Sequence, residues 1–166
     1  MGIVCTFLRV SIDTVQYLLE NPELTDDYLG DNYASIDGKF HREGDTVFYT
    51  DKAWDIALFL LKESDPEINK LLNKYIEGTL IANNTDSRAA YIIPEEVVII
   101  NNAIRNVQLD SLKIFYNNEK MIENDIYRGG WFTLESWEYI KQHIVTMQEA
   151  FAKAAEHKDC IVIYFS

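Results

Sequence analysis

The spacing of apolar residues changes period several times along the chain, and each change marks an element. Residues 2–10 carry Ile3, Val4, Phe7 and Val10 without helical spacing, which predicts a first strand. Ser11 then caps a short helix with Val15, Leu18 and Leu19 on one face, and Asn21-Pro22 ends it. Residues 23–45 read as irregular, with Gly30, Gly38 and Gly44 as breakers. A short strand over residues 46–50 leads to a helix capped by Thr50, with Asp51 in its first turn and Trp54, Ala57, Leu58 and Leu61 as an inward stripe. Asp65-Pro66 opens the next helix, which carries Ile68, Leu71, Leu72, Tyr75 and Ile76 and stops at Gly78.

Residues 79–82 and 89–93 read as extended segments around a polar loop, since the residue before Pro94 is pushed out of the helical region. Pro94-Glu95-Glu96 starts a helix to about Val107, and Asp110 or Ser111 caps another to about Tyr116. Trp137, Ile140, Ile144, Met147 and Phe151 recur every three or four residues in the longest helix, from Thr133 to about Ala155. Residues 160–165 form a last strand. Strands at both ends with helices between them predict an α+β protein, one domain over residues 1–166, in which a small sheet joins the N- and C-terminal strands and several helices cover it.

Charge narrows the partners. The 166 residues carry 27 acids and 15 bases, a net charge of −12. Residues 20–65 hold twelve acids against four bases, eight of the twelve excess negative charges. Such a surface repels nucleic acid and anionic lipid, so neither is expected as a partner, whereas a basic protein fits it. A solvated acidic face serving solubility alone is the simpler account.

Cys5 and Cys160, each inside an apolar run, read as buried free thiols of a reducing compartment. If the two runs are neighbouring strands, the thiols could approach one another. Two soft ligands are too few for zinc, and no metal or cofactor is expected. No run reaches the length of a membrane span and no secretory signal is present, which points to the cytoplasm. The opening Met1-Gly2-Ile3-Val4-Cys5-Thr6 formally fits an acylation pattern, but a buried first strand explains Gly2 better.

The N-terminal strand, Thr50-Asp51-Lys52-Ala53-Trp54 at a helix start, Asp125-Ile126-Tyr127-Arg128-Gly129 before the last helix and the terminal apolar strand occur together in order. This constellation resembles the YfbM-like family of small bacterial cytoplasmic proteins, a domain of unknown function, over essentially the whole chain. The resemblance implies one α+β domain and a bacterial source, and it brings no activity to carry over. One departure is Arg128, at a position where related sequences often place proline.

Glycine-rich phosphate loops and hydrolase motifs are lacking, and no catalytic residue is assigned. The candidate binding residues are Asp51, Trp54 and Asp55 at one helix start, Tyr127, Arg128 and Trp131 around paired glycines, and His143 beside the last helix's apolar stripe. Asp51 and Asp55, one turn apart on one face, could take a cation or a proton. Arg128 between two aromatics could clamp an anionic or planar group. Each also has a structural reading: helix-dipole acids, core aromatics, a turn and an interior histidine. Two functions follow. The first is a non-enzymatic interaction module, immunity-like or regulatory, that turns its acidic face to a basic protein. The second is a small-molecule-binding domain or enzyme with a pocket near Asp51, Trp54, Tyr127 and Arg128.

Overall fold

A computed structural model of the chain describes residues 2–29, 47–84 and 86–166. Five strands, β1 (Cys5–Val10), β2 (Val47–Tyr49), β3 (Thr79–Asn83), β4 (Arg88–Ile92) and β5 (Cys160–Phe165), make one sheet in the order β2-β1-β5-β4-β3. Every neighbouring pair is antiparallel. The two terminal strands are therefore adjacent at the centre, as the two apolar ends of the chain predict. In their register Cys5 lies opposite Phe165 and Val10 opposite Cys160. The thiols, both buried and free, thus sit at opposite ends of the ladder, and the antiparallel register keeps them apart.

Helices cover both faces, which is why the central strands read as continuous apolar runs. Cys5, Phe7, Ile161 and Ile163 face α3 (Trp54–Ser64), α4 (Pro66–Tyr75), α5 (Pro94–Ile104) and α8 (Trp137–His157). Leu8, Val10, Cys160 and Val162 face α1 (Ile12–Glu20) and α2 (Thr25–Leu29). Helix α8 buries Trp137, Ile140, Ile144, Met147, Ala150, Phe151 and Ala154, the predicted stripe extended by two alanines. Phe151 meets Phe7 edge-on at 5.9 Å. Each large side chain in that stripe stabilises the fold by roughly 1.5–3 kcal/mol through burial. No helix among the described residues is long and apolar enough to cross a membrane.

Several local expectations are corrected. Leu19 is exposed, leaving Val15 and Leu18 as the buried face of α1. The segment expected to be irregular holds α2, whose Thr25, Tyr28 and Leu29 are buried; residues 30–45 of it lie outside the described residues. Instead of a stripe, α3 buries every residue from Ile56 to Leu61, because it is enclosed between the sheet and other helices. The fifth predicted helix divides into α6 (Leu109–Leu112) and a 3-10 turn, and no side-chain cap from Asp110 or Ser111 opens it. A further helix, α7 (Asn118–Glu123), was not foreseen; Asn117 caps it by accepting from the Lys120 amide. Thr133 precedes a 3-10 turn, and α8 itself starts at Trp137.

Candidate functional site

The start of α3 is pinned to the sheet. Cys5's carbonyl accepts from both the Thr50 amide at 3.0 Å and the buried Thr50 hydroxyl at 2.8 Å. Thr50 therefore does not cap the helix with its side chain, and a 3-10 turn over Asp51–Ala53 carries the chain into Trp54. Asp51 takes φ +45°, outside the helical region. The two carboxylates expected on one face consequently diverge.

Asp55 turns toward the last loop and accepts the Tyr127 amide at 2.8 Å. Burial pushes its carboxyl above the ordinary carboxylate range, opposed by the Tyr127 hydrogen bond and the nearby Lys62 charge. Trp54 stacks on the Tyr127 ring at 6.0 Å and 20°, and meets Phe165 edge-on at 4.8 Å. Its indole Nε1–H is buried with no protein acceptor.

These residues edge a cleft of about 160 Å³. Its floor follows from sheet register: Cys5, Phe165 and Arg88 form one cross-strand row, and Phe7 and Ile163 belong to the next row on the same face. Helix α3 supplies Trp54, Asp55, Leu58 and Lys62 as one wall, and Ile76 and Glu77, just past α4, close the other side. Arg88 lies 5.9 Å from the Phe165 ring centre and donates from Nη2 to the Glu77 carbonyl at 3.3 Å. The Cys5 thiol in the floor stays protonated, since burial drives its pKa far up.

Tyr127, Arg128 and Trp131 come together beside the cleft without lining it. Tyr127's hydroxyl accepts the Ile3 amide at 2.7 Å and the Arg128 Nε–H at 3.3 Å. Arg128's guanidinium lies 3.6 Å from the Trp131 ring centre and 5.4 Å from that of Tyr127. Trp131 is 74% exposed. Arg128 takes φ +62°, a left-handed conformation that proline cannot adopt.

Asp51 and His143 belong to a third group. Asp51 accepts from the hydroxyls of Tyr139 at 2.7 Å and Tyr49 at 3.3 Å. Tyr139 in turn meets His143 edge-on at 4.4 Å. Burial, then the Asp51 contact, pushes the Tyr139 phenol up. Burial lowers His143, while Asp51 and the Tyr49 backbone pull the other way; its Nδ1 is enclosed without a partner.

The seven candidates thus divide into three groups, and only Trp54 and Asp55 line the cleft. Lys62 and Arg88 were missed. Lys62 carried a signal, since Asp55, Leu58 and Lys62 share helical spacing. Arg88 reaches the cleft only through the strand register. Asp26, counted with the acidic face, is half-buried and committed to hydrogen bonds: it accepts from Asn84 at 2.7 Å, Ser87 at 2.6 Å and Tyr164 at 3.2 Å.

With this arrangement in view, the model of the family described as Domain of unknown function (DUF1877) matches residues 1–164. The chain belongs to this family. Among solved structures, this DUF1877 chain is similar to YfbM from Escherichia coli, a protein of unknown function. The TM-score is 0.65, at 17% identity, over 98% of this chain and 99% of that one. At that identity the likeness is one of fold, and it bears out the YfbM-like resemblance and the α+β architecture. No curated protein matches the chain.

Proposed function

We propose that this DUF1877 chain is a small-molecule-binding protein whose ligand lies in the cleft between α3 and the β1-β5-β4 face. The observation that carries this reading is the half-buried Asp55 carboxyl at the rim of an aromatic-walled cleft, with Trp54 and two basic side chains lining the same space. Concave, largely apolar sites with a few convergent polar groups and a perturbed carboxyl are where small ligands bind. Asp51, His143 and Arg128 do not share that cleft, so the reading is of binding, with no catalytic role assigned.

A fragment library of mixed charge, followed by amide and indole chemical shifts, tests it. Hits are expected to move the Trp54 indole resonance and residues of α3 and β5. Filling the cleft with Leu58→Trp is expected to abolish binding without loss of cooperative melting. Hits that map elsewhere, or that survive Leu58→Trp, would sink the proposal.

The net charge of −12 favours a second reading, the acidic-face interaction module, cytoplasmic and immunity-like or regulatory. Its expected signature is capture of a basic protein that weakens as salt is raised; capture indifferent to salt would count against it.

A further inference from the structure

Resting on the cleft reading, we propose that the ligand carries an anionic oxygen head, carboxylate or phosphate, which takes Lys62 and Arg88, and an apolar body that packs on Trp54 and Phe165. With 27 acids to 15 bases, bases in this chain have acids to spare, and several take one. Arg9 pairs with Asp159 at 3.6 Å, Lys141 with Asp110 at 2.6 Å, and Lys120 with Glu63. Among the described residues Lys62 and Arg88 make no ion pair, yet both line one small cleft. A ligand filling about 160 Å³ meets both. Arg88 is held in place by the Glu77 carbonyl and by Phe165, which fixes the guanidinium while leaving most of its five N–H donors free.

The two acids of the lining do not make it a cation site. Asp55 already accepts the Tyr127 amide, and its burial disfavours the charged form. Glu77 is exposed, so water screens its charge. The rest of the lining is apolar: Trp54 and Phe165 meet edge-on, with Phe7, Leu58 and Ile163 beyond, a surface for a flat or branched hydrocarbon body.

The test is calorimetric titration of the full chain with four compounds sharing one body: 3-phenylpropionate, 2-phenylethyl phosphate, 3-phenylpropan-1-ol and 3-phenylpropylamine. At least one anion is expected to bind about tenfold tighter than the alcohol, with the amine no tighter, as loss of a charge-assisted hydrogen bond implies. Whichever anion binds tighter identifies the head. Lys62→Met and Arg88→Met are each expected to weaken that anion about tenfold while leaving the alcohol within about twofold. Thermal melts check folding, and Lys62→Gln or Arg88→Gln replaces a variant that does not melt cooperatively. Alcohol or amine binding as tightly as the anions, or anion binding that survives both substitutions, overturns the anionic head and leaves the cleft reading standing. If none of the four binds, this inference falls; the cleft reading falls with it only when the fragment library also yields no hit at Trp54.

Discussion

Asp55 is where local chemistry and tertiary contact meet most directly. Its carboxyl answers a backbone amide 72 residues away, and no other acceptor is seen for that amide. Asp55→Ala should therefore destabilise the protein by about 1–3 kcal/mol, the cost of a part-buried donor left unsatisfied, measured by urea unfolding at pH 7. Asp55→Asn keeps an acceptor and removes the charge. Because the folded-state pKa of Asp55 is raised, the stability it contributes is complete below its unfolded pKa and is lost as pH rises through the folded value. The asparagine variant should then lose less stability than the wild type as pH is raised from acid toward neutral. Parallel slopes for the two proteins would show that Asp55 does not titrate differently in the fold. His143 has the opposite sign: its depressed pKa contributes stability above the unfolded value that disappears as pH falls through the folded one. The sequence marks Asp55 and His143 as residues of interest, but burial by distant elements determines both shifts.

At the scale of elements, caps and breakers written in the sequence mostly function as such. Asp65 accepts from the amides of Glu67 at 2.7 Å and Ile68 at 3.3 Å, and Pro66 follows at the first helical position. Asp65→Ala should remove about 1 kcal/mol, with α4 amide exchange accelerating before global unfolding. Gly78 takes φ +64°, and a Cβ there would come 2.6 Å from the Tyr91 carbonyl, so Gly78→Ala should cost at least about 1 kcal/mol by strain and crowding of the β3-β4 hairpin. At Thr50 a tertiary contact overrides the local signal. Its type and position fit a cap, but the strand beside it offers the Cys5 carbonyl, and that tertiary bond wins. Asn117 is an ordinary N-cap by type, but the four polar residues from Asn117 to Lys120 and the single buried Met121 give α7 almost no apolar stripe to mark it in the sequence.

For the whole molecule, the antiparallel pairing of the chain's ends has a consequence for redox chemistry. Cys5 and Cys160 lie at opposite ends of the β1-β5 ladder and on different faces of the sheet. Oxidation of the folded protein should yield no intramolecular disulfide, checked by intact mass after alkylation. Burial also raises the Cys160 thiol to about 11, so both thiols should react slowly with alkylating reagents until the protein unfolds. A disulfide formed under native conditions would contradict the register. Net charge acts at the same scale. At −12 the chain repels itself, so its melting temperature should rise as salt goes from about 10 mM to about 150 mM, where screening shortens from roughly 30 to 8 Å.

Periodicity, proline, glycine and capping residues are local properties. The sequence by itself therefore determined the α+β class, the terminal strands, most helices and the acidic balance. The candidate list followed from residue type, and two of its members, Trp54 and Asp55, do edge the cleft. What only the tertiary structure decided are relations between distant segments. Strand register brings Arg88 beside Phe165, enclosure of α3 replaces its expected stripe with burial all round, and the Tyr127 amide reaches Asp55. The physical reason is that a residue's neighbours three or four positions away are fixed by backbone geometry. Its cross-strand and interlayer neighbours depend instead on how the whole sheet pairs and which helices cover it.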